Sequence, residues 1–267
     1  MFNDLIVGGF AGVISRTLTA PLELYKIQSQ NSYLKESNIR NVLKKEGIRH
    51  LWKGNLTNCI RAFPQFGISY SVYAFSKDKI FKNIDNNNYK NLYSGAVGGL
   101  VSMTLVYPLE TIRTRLSLQM NKSHYNSIFS AIKKMKLGEL YNGLNVSLLG
   151  YIPFTALNFA FYNYYKNFFE NNKNINDNYV KLLSGGFSGV TSLTITYPTD
   201  LVRRRLQMQG FSNKVPIYNG IFNTFYKICR SEGFFALYSG FLVAQIRIFP
   251  CLAIQFWCLE NGKKIFN

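Results

Sequence analysis

The segment Pro21-Leu22-Glu23-Leu24-Tyr25-Lys26 decides the reading, because it returns twice: as Pro108-Leu109-Glu110-Thr111-Ile112-Arg113 and as Pro198-Thr199-Asp200-Leu201-Val202-Arg203. All three follow P-x-[DE]-x-x-[KR], and the prolines stand 87 and 90 residues apart in a chain of 267. Outward from each proline, a glycine lies thirteen positions before it and a second four residues on: Gly8/Gly12, Gly95/Gly99 and Gly185/Gly189. Downstream comes an aromatic-x-Gly, namely Trp52-Lys53-Gly54, Tyr141-Asn142-Gly143 and Tyr238-Ser239-Gly240. Ten residues after that glycine is a further proline: Pro64, Pro153 and Pro250. Recurrence at a fixed period marks tandem structural units. We delimit them as 1–85, 86–175 and 176–267.

Each unit reads as an apolar span, a polar amphipathic stretch and a second span. Asn91–Leu109 and Leu182–Thr199 contain no charged residue and reach the roughly 18 residues that a bilayer crossing needs. Leu140–Tyr165 is uncharged for longer, and Ala62–Ser76 is shorter but apolar and aromatic. Leu5–Ser15 and Ile248–Leu259 are bordered by Arg16 and Arg247. Asn-rich loops at 83–91 and 171–178 bring the mean hydropathy down to −0.04. The glycine pairs read as helix-packing notches, which matter in lipid because the hydrophobic effect does not drive helix association there. A proline inside a span bends the helix and is tolerated beside neighbours or a wet cavity. The expected architecture is therefore all-α: six kinked transmembrane helices in three related pairs, closed with pseudo-threefold symmetry around a central cavity. The first apolar stretch has no basic leader or cleavage site, so no signal peptide is expected.

Composition excludes several classes of function. Lys+Arg number 31 and Asp+Glu 13, for a net charge of +18, yet charged residues are only 16% of the chain. Acids are scarce, which argues against a coiled coil or an acidic tail. Four cysteines form no C-x-x-C pair and two histidines lie far apart, so neither a zinc site, a disulfide scaffold nor a His-centred triad is expected. There is no P-loop or dinucleotide fingerprint. We expect no enzyme, no metal and no cofactor. Nucleic-acid binding would use the charge but leaves the uncharged spans unexplained.

With these motifs in place, the chain resembles the mitochondrial carrier family over essentially its whole length. The resemblance implies that the odd-numbered helices carry the signature and that both termini face the intermembrane space. It also implies short matrix-side amphipathic helices near Ser37–Gly47, Tyr125–Lys136 and Tyr218–Gly233, and residence in the mitochondrial inner membrane. Ionisable groups inside a span face a cavity or each other. The acid of one repeat can then meet the base of the next: Glu23–Arg113, Glu110–Arg203 and Asp200–Lys26. In the family such a ring closes the matrix side. Gln30 and Gln207 stand where family members place a bracing glutamine, and Ser117 replaces it in the middle repeat. The opposite, cytoplasmic gate departs from the family pattern of aromatic-acid-x-x-base. Tyr73 to Lys77 and Tyr162 to Lys166 have no acid, whereas Glu260 precedes Lys263. One bridge, Glu260–Lys77, is expected there with tyrosine hydroxyls beside it. The empty protein should accordingly rest open to the intermembrane space.

Three arginines stand at mid-span depth: Arg16, five before Pro21, and Arg61 and Arg247, each three before a proline. Arg16 and Glu23 are seven residues apart and share a helix face. We read the three as a positive cluster without nearby acids, which an anionic substrate must compensate; guanidinium forks match phosphate oxygens. Gly150 and Tyr151 occupy the equivalent place in helix 4, where small-apolar pairs in the family accompany adenine-nucleotide-type substrates. Gly150 leaves room for a flat base that Tyr151 and Phe154 could stack on. The strings around Arg16 and Arg203-Arg204-Arg205 resemble coenzyme A and ATP-Mg/phosphate carriers. They do not match the ADP/ATP exchanger's R-R-R-M-M-M, since Leu206 and Gln207 intervene. No calcium-binding extension precedes the first repeat, so calcium regulation is not expected. The resemblance implies cardiolipin as the lipid partner, at Trp52, Lys53, Gly54, Gly143, Gly220 and Gly240, where backbone donors at helix starts suit an anionic headgroup. The expected function is exchange of a phosphorylated, adenine-nucleotide-type solute by a monomer. A thiamine pyrophosphate carrier and a carboxylate or amino-acid carrier are the alternatives.

Overall fold

In a computed structural model, the chain is described over residues 2–31, 43–44, 46–119, 125, 127–171, 177–211, 218–248, 250–251 and 254; for 2–10 and 177–178 this covers the backbone path alone. Among these residues the structure is helical, with no strand. The long helices are α1 (Phe2–Gln30), α2 (Asn55–Phe75), α3 (Asn87–Leu118), α5 (Leu144–Glu170) and α6 (Asp177–Gln207). Between them lie the shorter α4 (Ile128–Lys134) and α7 (Ile221–Glu232), and a last helix, α8, is seen over 241–248. Pro21, Pro64, Pro108, Pro153 and Pro198 each lie inside a helix.

The bundle is polar within and apolar without. Leu18, Leu56, Leu105, Leu149, Leu242 and Ile246 are exposed, at 60–73%. Buried positions instead include Ser15, Thr19, Glu23, Lys26, Ser94, Ser102, Glu110, Arg113, Ser188 and Ser192. That inversion is what lipid as solvent demands, because the outer surface must match hydrocarbon. By apolar length alone, two stretches among the described residues qualify as spans: α3 and 137–170. In α6 the uncharged run Leu182–Thr199 is rich in Ser, Thr and Gly, which lowers its hydropathy.

Two helix pairs pack most extensively, α2 along α3 and α5 along α6. Both pairs join one repeat to the next, across the linkers that follow α2 and α5. Partners within a repeat, α1 with α2 and α3 with α5, touch less. Helices α1, α3 and α6 also contact each other, and Ser15 of α1 donates to the Cys251 carbonyl at 2.8 Å, closing the circuit. The glycine pairs do not all serve as packing notches, contrary to expectation. A Cβ on Gly12 would meet Phe66 at 3.7 Å, and Gly99 backs the Tyr151 ring. Gly95, Gly185 and Gly189, however, have no neighbour within 4 Å of a Cβ position among the described residues.

The amphipathic stretches expected at 125–136 and 218–233 form α4 and α7, each shorter by a few residues. Ser127 caps α4 reciprocally with Ser130, and Gly220 and Gly233 bracket α7 at φ +87° and +89°. Most of the stretch expected at 37–47 lies outside the described residues.

Candidate substrate cavity and charge ring

The acid and base of each signature lie two and five residues past the bend proline, on the buried face of α1, α3 and α6. There Lys26 Nζ reaches Asp200 Oδ2 at 2.7 Å and Arg113 Nη2 reaches Glu23 Oε1 at 3.2 Å. Arg203 Nη2 pairs with Glu110 Oε1. Three helices are thereby linked head to tail.

More bases converge on these acids than the repeat alone supplies. Arg247 Nη1 lies 2.7 Å from Glu23 Oε2, Arg61 Nη1 lies 2.9 Å from Glu110 Oε2, and Arg204 Nη2 lies 3.4 Å from Glu110 Oε1. Arg61 and Arg247 are therefore not remote from acids, which corrects the sequence expectation. Three residues before the even-helix proline is within an arginine's reach of the odd-helix acid, so the mid-span arginines join the ring. Six bases still face three acids, leaving a net positive interior. Arg16 stands apart. Its Nη1 donates to the Asn58 carbonyl of α2 at 2.9 Å, its guanidinium lies 5.8 Å from the Phe66 ring centre, and no carboxylate comes within 4 Å among the described residues.

Gln30 Nε2 donates to Asp200 Oδ2 at 3.3 Å and to the Tyr197 hydroxyl at 3.1 Å. Gln207 sits differently. Its Oε1 accepts from Arg204 and Thr114, both at 3.1 Å, and its Nε2 donates to Tyr107. It supports Glu110 through Arg204, not by touching the Arg203 pair. Ser117 Oγ bonds the carbonyls of Lys53 and Arg113.

Beside the ring opens a cavity of about 470 Å³, lined chiefly by α5, α6 and α8, with Lys26 of α1 and Met103 of α3. Its charged end contains Lys26, Asp200, Arg203 and Arg247. Its other end is apolar and aromatic, with Met103, Tyr151, Phe154, Leu193 and Ile248, and the bare backbone of Gly185 and Gly189, whereas Gly150 is buried against Thr199. Of the residues expected to hold substrate, Arg247, Gly150, Tyr151 and Phe154 line this space. Arg16 and Arg61 are held elsewhere, against α2 and Glu110.

At the far end, Lys77 Nζ lies 3.4 Å from the hydroxyl of Tyr73 on its own helix, and Lys166 Nζ lies 3.5 Å from Glu170 one turn on, both partners half-exposed. Glu260 and Lys263 lie outside the described residues. In the residues expected at lipid sites, Trp52 Nε1 donates to the Thr17 carbonyl at 2.9 Å and Lys53 Nζ to the Gln119 carbonyl at 3.0 Å. Gly54, Gly143 and Gly220 precede α2, α5 and α7, and Gly240 precedes α8, all at φ near +80° to +87°. Gly54 and Gly143 abut α3 and α6, whereas a Cβ on Gly220 would meet nothing within 4 Å among the described residues.

Sequence reasoning passed over two sets of residues. Tyr107 and Tyr197, each just before a bend proline, donate to the carbonyls of Asn142 (3.0 Å) and Ser239 (2.8 Å), and stack on Tyr141 and Tyr238. Arg115 and Arg205, seven past that proline, are fully buried. Arg115 holds Glu139 at 2.7 Å and the carbonyls of Gln207 and Gln209; Arg205 grips Glu232 with two 2.7 Å contacts and the Gln30 carbonyl at 2.6 Å.

Comparison with known proteins places this geometry. The chain matches the family described as "Mitochondrial carrier protein" over residues 1–84, 85–173 and 176–267. It is 33% identical over 281 residues to Mitochondrial substrate carrier family protein A of Dictyostelium discoideum, covering 99% of this chain and 85% of that one. It is 32% identical to the Mitochondrial adenine nucleotide transporter ADNT1 of Arabidopsis thaliana, covering 99% and 87%. It is 31% identical to the human Mitochondrial adenyl nucleotide antiporter SLC25A24, covering 98% of this chain and 58% of the longer relative. The chain belongs to the mitochondrial carrier family. It is a membrane transporter, a multi-pass protein of the mitochondrial inner membrane.

Proposed function

We propose that this carrier exchanges adenine-nucleotide-type phosphorylated solutes across the inner membrane by alternating access. The observation that carries the reading is the two-ended cavity. Its basic end suits phosphate, and its aromatic end with exposed glycine backbone suits a planar base. Two relatives that are 31–32% identical are named as adenine nucleotide carriers, which supports the same class. Coenzyme A, ADP/ATP and ATP-Mg with phosphate all belong to it.

In this mechanism the ring of Glu23–Arg113, Glu110–Arg203 and Asp200–Lys26, braced by Gln30 and Gln207, is the matrix gate, closed in this conformation. Phosphate oxygens bind Arg247 and then compete with Glu23 and Glu110 for Arg113, Arg61 and Arg203, loosening the gate. Arg16 and Arg61 meet the substrate only as the helices move. Lys77, Lys166, Glu260 and Lys263 serve the opposite gate. Cardiolipin binds at the helix starts marked by Gly54, Gly143, Gly220 and Gly240, and the carrier acts as a monomer.

The test is a thermal-shift screen of purified protein with ATP, ADP, coenzyme A, thiamine pyrophosphate and malate, followed by exchange in proteoliposomes. A ligand at a hundred times its Kd stabilises by about 2.7 kcal/mol. The expected result is a shift and exchange with an adenine-bearing compound; a response to malate alone overturns the reading.

A further inference from the structure

Asn158 lines the cavity on α5, eight residues beyond Gly150 and four beyond Phe154, on the face those residues share. Its Oδ1 is shielded from solvent and has no hydrogen-bond partner among the described residues. A buried polar atom left unpaired is costly, so the unpaired amide oxygen of a residue in the cavity wall gains from a ligand's donor once the amide turns toward the cavity. Of the other wall residues, Arg203 and Arg247 also carry an unpaired buried atom, in each case Nε, a donor at the charged end, so Asn158 Oδ1 is the unpaired buried acceptor among the described wall residues; Thr199 donates to the Thr196 carbonyl at 2.7 Å, and Asp200 holds Lys26.

We propose that Asn158 is the residue that reads the base of the substrate, selecting adenine over 6-oxopurines; this rests on the adenine-nucleotide reading above. An asparagine amide pairs with adenine through two bonds, its carbonyl accepting from the 6-amino group and its NH2 donating to N7. Guanine and hypoxanthine present two acceptors, O6 and N7, along that edge. The amide has one donor end, so either orientation leaves its carbonyl facing an acceptor. With the phosphates at Arg247, the aromatic end of the cavity brings the base to Tyr151 and Phe154, two turns and one turn from Asn158 on the same helix.

The experiment is uptake into ATP-loaded proteoliposomes, with external ATP competed by ADP, ITP and IDP. These pairs carry the same phosphates and differ only at the base. The wild-type protein should favour ATP over ITP by about tenfold or more, within the range for a bidentate base contact. Asn158→Leu should bring the ratio to within about twofold while the melting temperature of the empty protein holds; Asn158→Ala serves the same purpose if the leucine variant does not accumulate. Equal use of ATP and ITP by the wild type overturns the proposal, as does an unchanged preference in the variants. Failure to take up any nucleotide, of either base, instead overturns the adenine-nucleotide reading on which it stands.

Discussion

Arg247 and Arg61 occupy equivalent positions before their prolines, yet their surroundings differ. Among the described residues Glu23 has two basic partners within 4 Å, so losing Arg247 leaves Arg113 there; Glu110 without Arg61 keeps Arg203 and Arg204. Breaking a buried ion pair by removing one side costs up to about 3–5 kcal/mol. Arg247→Ala should therefore lower the melting temperature in detergent more than Arg61→Ala, although both should abolish exchange without preventing insertion. Wild-type exchange by either variant would refute its place in the transport path. The glycines of the cavity offer a sharper contrast. A Cβ at Gly150 would lie 2.6 Å from Thr199 Oγ1 and 3.2 Å from its Cβ, so Gly150→Ala should overpack the α5–α6 seam by about 1–3 kcal/mol. Gly185→Ala meets nothing and removes a helix-weakening glycine. It should keep or raise the melting temperature while weakening nucleotide binding, and a thermal-shift titration separates the two cases.

At the scale of elements, the short turn of helix Leu137–Leu140 that follows α4 is tied to α3 by Arg115–Glu139, and α7 is tied to α6 by Arg205–Glu232. Glu232→Ala should free α7 from the end of α6 and cost about 3 kcal/mol, read as a lower melting temperature and earlier proteolysis between 211 and 234. These ties show where a sequence stops being legible. The bend prolines, the glycine turns and the ring acids recur in all three units, so their alignment exposes them. The Pro+7 base recurs only twice, with Gln28 in the first unit, and the Tyr before the proline is Ala20 there. A two-in-three pattern does not announce itself until the side chains meet. Reading Arg61 and Arg247 as remote from acids failed for another reason: depth along one helix says nothing about the reach of an arginine from its neighbour. The glycine pairs misled because spacing alone does not distinguish a backbone that touches another helix from one that borders a void.

Across the whole molecule, the ring makes α1, α3 and α6 interdependent. Lys26→Ala should leave Asp200 with Gln30 as its remaining close partner and lower the melting temperature by an amount matching roughly 3 kcal/mol. The exchanged pair, Lys26→Asp with Asp200→Lys, should recover most of it, and failure of the swap to recover anything would mean that the pair's contribution lies in packing.

The strongest lateral seams, α2 against α3 and α5 against α6, run between units and not within them. A copy of the motif made by itself would thus carry two flanks with nothing to lean on. Residues 86–175 synthesised alone should insert without reaching a defined tertiary state, and ancestral assembly of such a protein from single modules would have required them to gather in the bilayer before they were ever joined in one chain.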